Sequence, residues 1–194
     1  MNLMISKIPL RHRSAAIAAM QADVAVDILS YVIGKSALGR MLVARSVDGV
    51  CAILIGADQD ELKADLGCRF PQAILVANEA VVHDDLAKVI RFVGSPGGGL
   101  HLTLDMRGTP LQRRIWQQIC AIPVGKTMSY MHLARLINNV YPKVAARLVA
   151  NACAANAIAL AVPCHRVIRT DGELAGYRWG IERKRDLIEK EALA

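Results

Sequence analysis

No stretch of this 194-residue sequence holds the roughly 18 consecutive apolar residues of a membrane span, and the longest runs are as short as residues 157–164. Paired CxxC cysteines are also missing. The five cysteines, at 51, 68, 120, 153 and 164, are odd in number and scattered, which argues against a disulfide framework or zinc knuckle and for a reducing cytoplasm. Internal repeats and low-complexity segments are absent. With 54% apolar and 21% charged residues, the composition is globular rather than disordered. Near the start, Lys7, Arg11 and Arg13 precede an apolar stretch of only residues 15–20 before Gln21 and Asp23, and the expectation there is a surface helix or ragged tail rather than a signal peptide.

What is present is an uneven charge. The length fits one or two domains and can bury a core without disulfides or metals. The net charge is +7, yet residues 1–100 carry ten basic and ten acidic side chains, whereas residues 101–194 carry fourteen basic and seven acidic. The whole excess lies in the second half. A cationic half suits a polyanionic partner, and the plainer alternative is a solvated basic surface.

Residues 39–56 read as two β-branched apolar runs around Asp48-Gly49, a β-hairpin signal. Asp58 then stands as the N-cap of a short helix, with Glu61 completing a capping-box pattern ahead of Leu62 and Leu66. A second helix is expected over 79–93, with Val82, Leu86, Val89, Ile90 and Val93 on one face. The glycine-rich break at 95–99 marks a linker where the charge balance changes, and a short strand is expected over 101–105. Further on, Leu111, Ile115, Ile119 and Ile122 keep helical spacing until Pro123 and Gly125 stop it. Ser129 caps a helix running to Ile137, Asn138 and Asn139 turn the chain, and Pro142 opens a helix over 142–155. Together these form a helix-turn-helix candidate.

The faces of the 142–155 helix differ in kind. Ala145, Leu148, Val149 and Ala152 form a core stripe, while Lys143, Arg147 and Asn151 recur every four residues on the other side, interleaved with Ala150 and Ala154. A few donors among small residues let a helix backbone approach a DNA groove closely.

The most distinctive string is Pro163-Cys164-His165-Arg166-Val167. A lone cysteine behind an apolar approach is most often a buried core residue. The flanking His165 and Arg166 instead point to a thiol with a lowered pKa and a raised thiolate fraction. Neighbours in an extended chain face opposite ways, so contact between Cys164 and His165 requires a helical turn or a bridging water. A third group should orient the histidine. In the final helix, over 181–193, Glu191 shares a face with Leu187 and Ile188, so it either points inward as the partner of His165 or is a helix-end glutamate with an exposed tip.

Taken in order, Asp105-Met106-Arg107-Gly108-Thr109, Gln112, Ile115-Trp116, Ile122-Pro123, Ser129-Tyr130, Arg147, Asn156, the string from Pro163 to Val167, Gly176-Tyr177-Arg178-Trp179-Gly180 and Arg183-Lys184 resemble the O6-alkylguanine-DNA alkyltransferase family. Residues 30–75 resemble that family's N-terminal subdomain as it occurs in the bacterial adaptive-response protein. The cysteine-rich zinc module of the longer regulatory form has no counterpart in this sequence, so the expectation is the stand-alone repair form. Two departures from the family's pattern stand out: the turn between Tyr130 and Arg147 is about three residues longer, and Leu148 replaces an alanine.

The resemblance implies an α+β fold: a small N-terminal α/β, ribonuclease H-like domain over 1–100 and a helical, winged helix-turn-helix-like domain over 101–194. It also implies a reaction. The Cys164 thiolate takes the alkyl group from O6 of a flipped-out guanine, once per molecule, with His165 as the base through water and Glu191 orienting it. Asn156 would brace the turn before the cysteine, and Tyr130 would donate toward the base or rotate the phosphate. Arg147 would fill the gap left in the duplex, with Lys143 and Asn151 also at the DNA; Val167, Tyr177 and Arg178 would line the guanine pocket. The implied partner is double-stranded DNA met by a monomer, with no membrane, cofactor or metal. The competing classes are a non-enzymatic DNA-damage-binding module and a cysteine hydrolase, for which no oxyanion arrangement is evident.

Overall fold

The computed structural model describes residues 26–139 and 143–194. The expected helix or tail over 15–20 and the Val140-Tyr141-Pro142 part of the longer turn lie outside the described residues.

Two hairpins build a four-stranded sheet from β1 (Ile28–Ser36), β2 (Gly39–Ser46), β3 (Gly49–Gly56) and β4 (Ile74–Ala77), in the order β3-β2-β1-β4. The first three pair antiparallel, and β4 runs parallel to β1. The Asp48-Gly49 turn joins β2 to β3, with Gly49 at φ 145°. Both faces of this hairpin are covered, which is why its runs are apolar throughout rather than alternating. Met41, Val43, Ile53 and Ile55 pack in one cluster with Val82, Leu86 and Val89 of the helix Glu79–Gly94, here α2. Leu42, Ala44, Ala52 and Leu54 pack in the other with Leu62 and Leu66 of α1 (Gln59–Arg69). Asp58 caps α1 by accepting from the N–H groups of Asp60 and Glu61.

The second half is helical: α3 (Pro110–Cys120), α4 (Tyr130–Asn138), α5 (Ala146–Ala155) and α6 (Ile181–Ala192), with a two-stranded parallel pair of β5 (Met128–Ser129) and β6 (Val167–Ile168). A capping box that sequence reading passed over starts α3: the Gln112 N–H donates to the Thr109 hydroxyl, and the Thr109 N–H to the Gln112 side chain. Ser129 caps α4, as expected. The indole N–H of Trp116 donates to the Ala152 carbonyl at 2.8 Å and fixes α3 against α5.

Two expectations are corrected. Residues 101–105 do not form a strand of a sheet; only Leu104 bridges, to Val50 at the β3 edge. The helix expected from Pro142 begins at Ala146, because Lys143 sits in the left-handed region at φ 72° and the Asn138 side chain brackets Val144, accepting from its N–H and donating to its carbonyl. Lys143 is therefore off the helix that carries Arg147 and Asn151. Of the expected core stripe, Val149 and Ala152 are buried, whereas Leu148 is 40% exposed and Ala145 is exposed.

The architecture is thus mixed α+β. The larger hydrophobic cluster runs without a break from the sheet through Trp116, Leu133 and Val149 to Leu187. Among the described residues, no helix is long and apolar enough to cross a membrane.

Candidate active site

The sheet places the site through its free edge. After α5 ends, the Ile53 N–H of β3 donates to the Ala157 carbonyl at 2.9 Å, and the Ala159 N–H returns to the Ile53 carbonyl at 3.0 Å. Between α5 and this edge sits Asn156, 1% exposed. Its carbonyl oxygen accepts from the Ile158 N–H at 2.8 Å, and its Nδ2 donates to the Val162 carbonyl at 3.0 Å and lies 3.3 Å from the Cys164 sulfur. One side chain therefore ties the end of α5, the loop and the thiol together. Cys164–Arg166 is a single 3-10 turn, so consecutive side chains diverge as on a helix.

His165 and Arg166 both turn to α6. His165 is fully buried, with Nε2 2.8 Å from Glu191 Oε1. Arg166 forks onto the same carboxylate, Nε to Oε2 at 2.8 Å and Nη2 to Oε1 at 2.9 Å, and its Nη1 donates to the Ile122 carbonyl. Glu191 is the inward-facing partner rather than the exposed helix-end residue. Burial by itself would raise its carboxyl, but the His165 and Arg166 hydrogen bonds more than offset this and bring it down to about 2. An ionised Glu191 accepts only, so Nε2 carries the imidazole proton and Nδ1 keeps a lone pair. Nδ1 is buried and has no hydrogen-bond partner among the described residues. Burial also lowers the His165 pKa and keeps the ring neutral.

The thiol itself reverses an expectation. His165 and Arg166 spend their polarity on Glu191, and burial, reinforced by the neighbouring Cys153, pushes the Cys164 thiol well above its ordinary value. In this state Cys164 is a protonated thiol that needs a base, not a standing thiolate.

Cys164 lines an apolar cavity of about 520 Å³. Ala146, Ala150, Cys153 and Ala154 form its α5 wall at helical spacing, Arg147 stands on the same helix at the cavity, and Tyr130 closes one side. Arg169, Ala175, Gly176, Tyr177 and Arg178 complete the lining. Of the expected site residues, Cys164, Tyr130, Arg147, Tyr177 and Arg178 thus meet at one cavity, with Asn156, His165 and Glu191 behind it. Asn151 is exposed on α5 without lining the cavity, and Lys143 is exposed outside it. Arg178 also pairs with Asp65 of α1 at 2.7 Å. Val167 does not line the cavity; its N–H bonds to the Cys164 carbonyl, and its own carbonyl accepts from Lys184 Nζ at 2.5 Å.

Lys184 was missed as a site residue. It is fully buried, and its ammonium lies 5.9 Å from the centre of the Tyr130 ring. The signal was its spacing, three residues before Leu187 and seven before Glu191 on the α6 inner face. Cys153 was missed as well: it lines the same cavity as Cys164 and helps to raise the Cys164 thiol pKa. Among the described residues no group of His, Cys, Asp or Glu could hold a metal ion.

The sequence model of the family described as 6-O-methylguanine DNA methyltransferase, DNA binding domain, matches residues 110–193. The regulatory protein ada of Salmonella typhimurium is 45% identical over 154 residues, 79% of this chain and 43% of that protein. The chain spans less than half the length of that relative. The inducible methylated-DNA-protein-cysteine methyltransferase of Bacillus subtilis is 33% identical over 126 residues, 65% of this chain and 69% of that protein. Among solved structures, Mycobacterium tuberculosis OGT in complex with DNA superposes with a TM-score of 0.64 at 29% identity, covering 86% of this chain and 93% of that one.

Proposed function

This chain belongs to the 6-O-methylguanine DNA methyltransferase family, and from that premise we propose that it repairs O6-alkylguanine in double-stranded DNA by moving the alkyl group onto its own Cys164. The observation that carries the proposal is the pinned Cys164 thiol at the cavity, with the ionised Glu191 and neutral His165 behind it.

The lesion is inaccessible inside the base stack, so the nucleotide flips into the cavity while Arg147 of α5 occupies the gap. Arg147 stands at that cavity among small alanines, which allow α5 to approach the groove closely. His165 Nδ1 takes the Cys164 proton, directly or through a water, and the imidazolium so formed is stabilised by Glu191. The thiolate sulfur attacks the alkyl carbon in line, a C–S bond forms, and the C–O bond to guanine O6 breaks. Tyr130, whose hydroxyl is held protonated by burial, donates to the departing base. The apolar walls exclude water from the attacked carbon. The thioether is not reversed, so each molecule acts once and no cofactor is consumed.

At the finer level of fold, we read the sheet with α1 and α2 as ribonuclease H-like and the α4–α5 pair with β5–β6 as winged helix-turn-helix-like. The break at 95–99 divides residues 1–100 from 101–194, with Lys143 and Asn151 as outlying DNA contacts. A monomer acting in the cytoplasm is part of the same proposal.

The test is Cys164→Ala. It should abolish transfer from a duplex containing O6-methylguanine while duplex binding stays within a few-fold of the parent. Transfer at the parental rate by this variant would refute the proposal. Retained binding with no transfer by the parent protein would favour a damage-binding module.

A further inference from the structure

The transfer reaction gives Cys153 no task, yet its position is tightly defined. It sits on the last turn of α5, half-buried, in the wall of the cavity that Cys164 lines. Its carbonyl accepts from the Asn156 N–H at 3.3 Å, and the Asn156 amide in turn lies 3.3 Å from the Cys164 sulfur. Both cysteines line that one cavity, and the Cys153 thiol is among the neighbours that raise the Cys164 thiol pKa. Asn156 therefore ties both cysteines to the wall of the same cavity. An S–S bond of roughly 2.05 Å between them requires a side-chain rotation toward the shared cavity.

We propose that Cys153 and Cys164 form a redox pair, in which a hydroperoxide converts the two thiols to an intramolecular disulfide that withholds the acceptor sulfur until a dithiol releases it. Cys153 is the more accessible partner and reacts first. Its sulfur attacks one peroxide oxygen, the O–O bond breaks, and the thiol becomes a sulfenic acid while the other oxygen leaves as water with the thiol proton. Cys164 sulfur then attacks the sulfenyl sulfur; the S–S bond forms and a second water departs with the Cys164 proton. Two thiols and one hydrogen peroxide give one disulfide and two waters. Reduction by thiol–disulfide exchange returns both thiols. In a protein that spends its acceptor once, the disulfide stops further oxidation of Cys164 to the sulfinic acid, which dithiols do not reverse.

The consequence for repair rests on the proposed transfer; the cross-link itself does not, and the experiment reads them separately. The full chain is titrated with hydrogen peroxide and digested with trypsin without reduction. Arg147 and Arg166 bound a peptide over 148–166 in which Cys153 and Cys164 are the two cysteines. That peptide should become lighter by two hydrogen masses. Methyl acceptance should fall in step with that loss and return on treatment with dithiothreitol. In Cys153→Ser, judged against its own untreated sample, Cys164 should gain oxygen atoms instead, and dithiothreitol should not restore acceptance. The proposal is overturned if the peptide keeps both thiols while Cys68 or Cys120 oxidise, or if Cys153→Ser recovers as fully as the parent. An untreated protein that accepts no methyl group would sink the transfer reading alone, leaving the peptide mass to decide the redox pair.

Discussion

His165 and Glu191 set how acid acts on this protein. Both have folded-state pKa values below their ordinary ones, so the unfolded chain binds more protons and stability rises with pH across that window. The Glu191 contribution is fully present above its unfolded value near 4.5 and is lost as pH falls toward about 2, amounting to about 3 kcal/mol. The His165 contribution begins to fade on acidification below its ordinary 6.5. Transfer should therefore hold through neutral pH and drop on acidification, with a midpoint below 6.5, as His165 becomes protonated and loses its lone pair. A pH–rate profile of single-turnover transfer measures this; a midpoint above that value would count against a neutral buried base. Glu191→Gln leaves the buried Arg166 charge without its carboxylate and should destabilise the fold by about 3–5 kcal/mol by urea unfolding. It should also slow transfer by roughly 10²–10⁴. At this scale the sequence was legible where a polar residue lay on an apolar stripe, as Glu191 does. The protonated state of Cys164 was hidden, because adjacency in sequence does not tell which way His165 and Arg166 turn.

Elements hold these residues in register, and α6 depends on a turn distant in sequence. Gly125, just after α3, has φ 72°, and a Cβ there would lie 2.8 Å from the Glu191 carbonyl oxygen. Gly125→Ala combines left-handed strain with a backbone clash against the residue that orients His165, and should cost about 1–3 kcal/mol. A thermal melt checks the loss. A Tm equal to the parent's would show that the contact between the Gly125 turn and α6 gives way without cost. Helical periodicity located α2, α3, α4 and α6 because each buries one stripe. It failed at the start of α5, where Pro142 suggested a helical first turn but Lys143 leaves helical φ and the Asn138 side chain brackets Val144. Leu148 and Ala145 consequently left the inferred core. The 101–105 segment also misled, since Leu104 makes a single bridge to β3 rather than a ladder.

For the whole molecule, the charge asymmetry read from the sequence acquires a direction. The neutral half supplies the sheet whose edge anchors the Asn156 loop, and the cationic half carries the cavity with Arg147 and Arg169 beside it. The logarithm of the duplex binding constant should fall linearly with the logarithm of salt concentration. If Arg147 fills the duplex gap rather than neutralising a phosphate, Arg147→Ala should lower transfer from duplex more than from single-stranded DNA while leaving the salt slope unchanged. A slope reduced by about one unit would make it a phosphate contact. The central claim is a single alkyl transfer to one named sulfur, and the most direct measurement is an intact-mass spectrum after incubation with excess duplex containing O6-methylguanine. A gain of one methylene per chain, localised to Cys164 and unchanged by further DNA, is the predicted result. An unmodified chain, a methyl group on another residue, or continued turnover without a mass gain would contradict it.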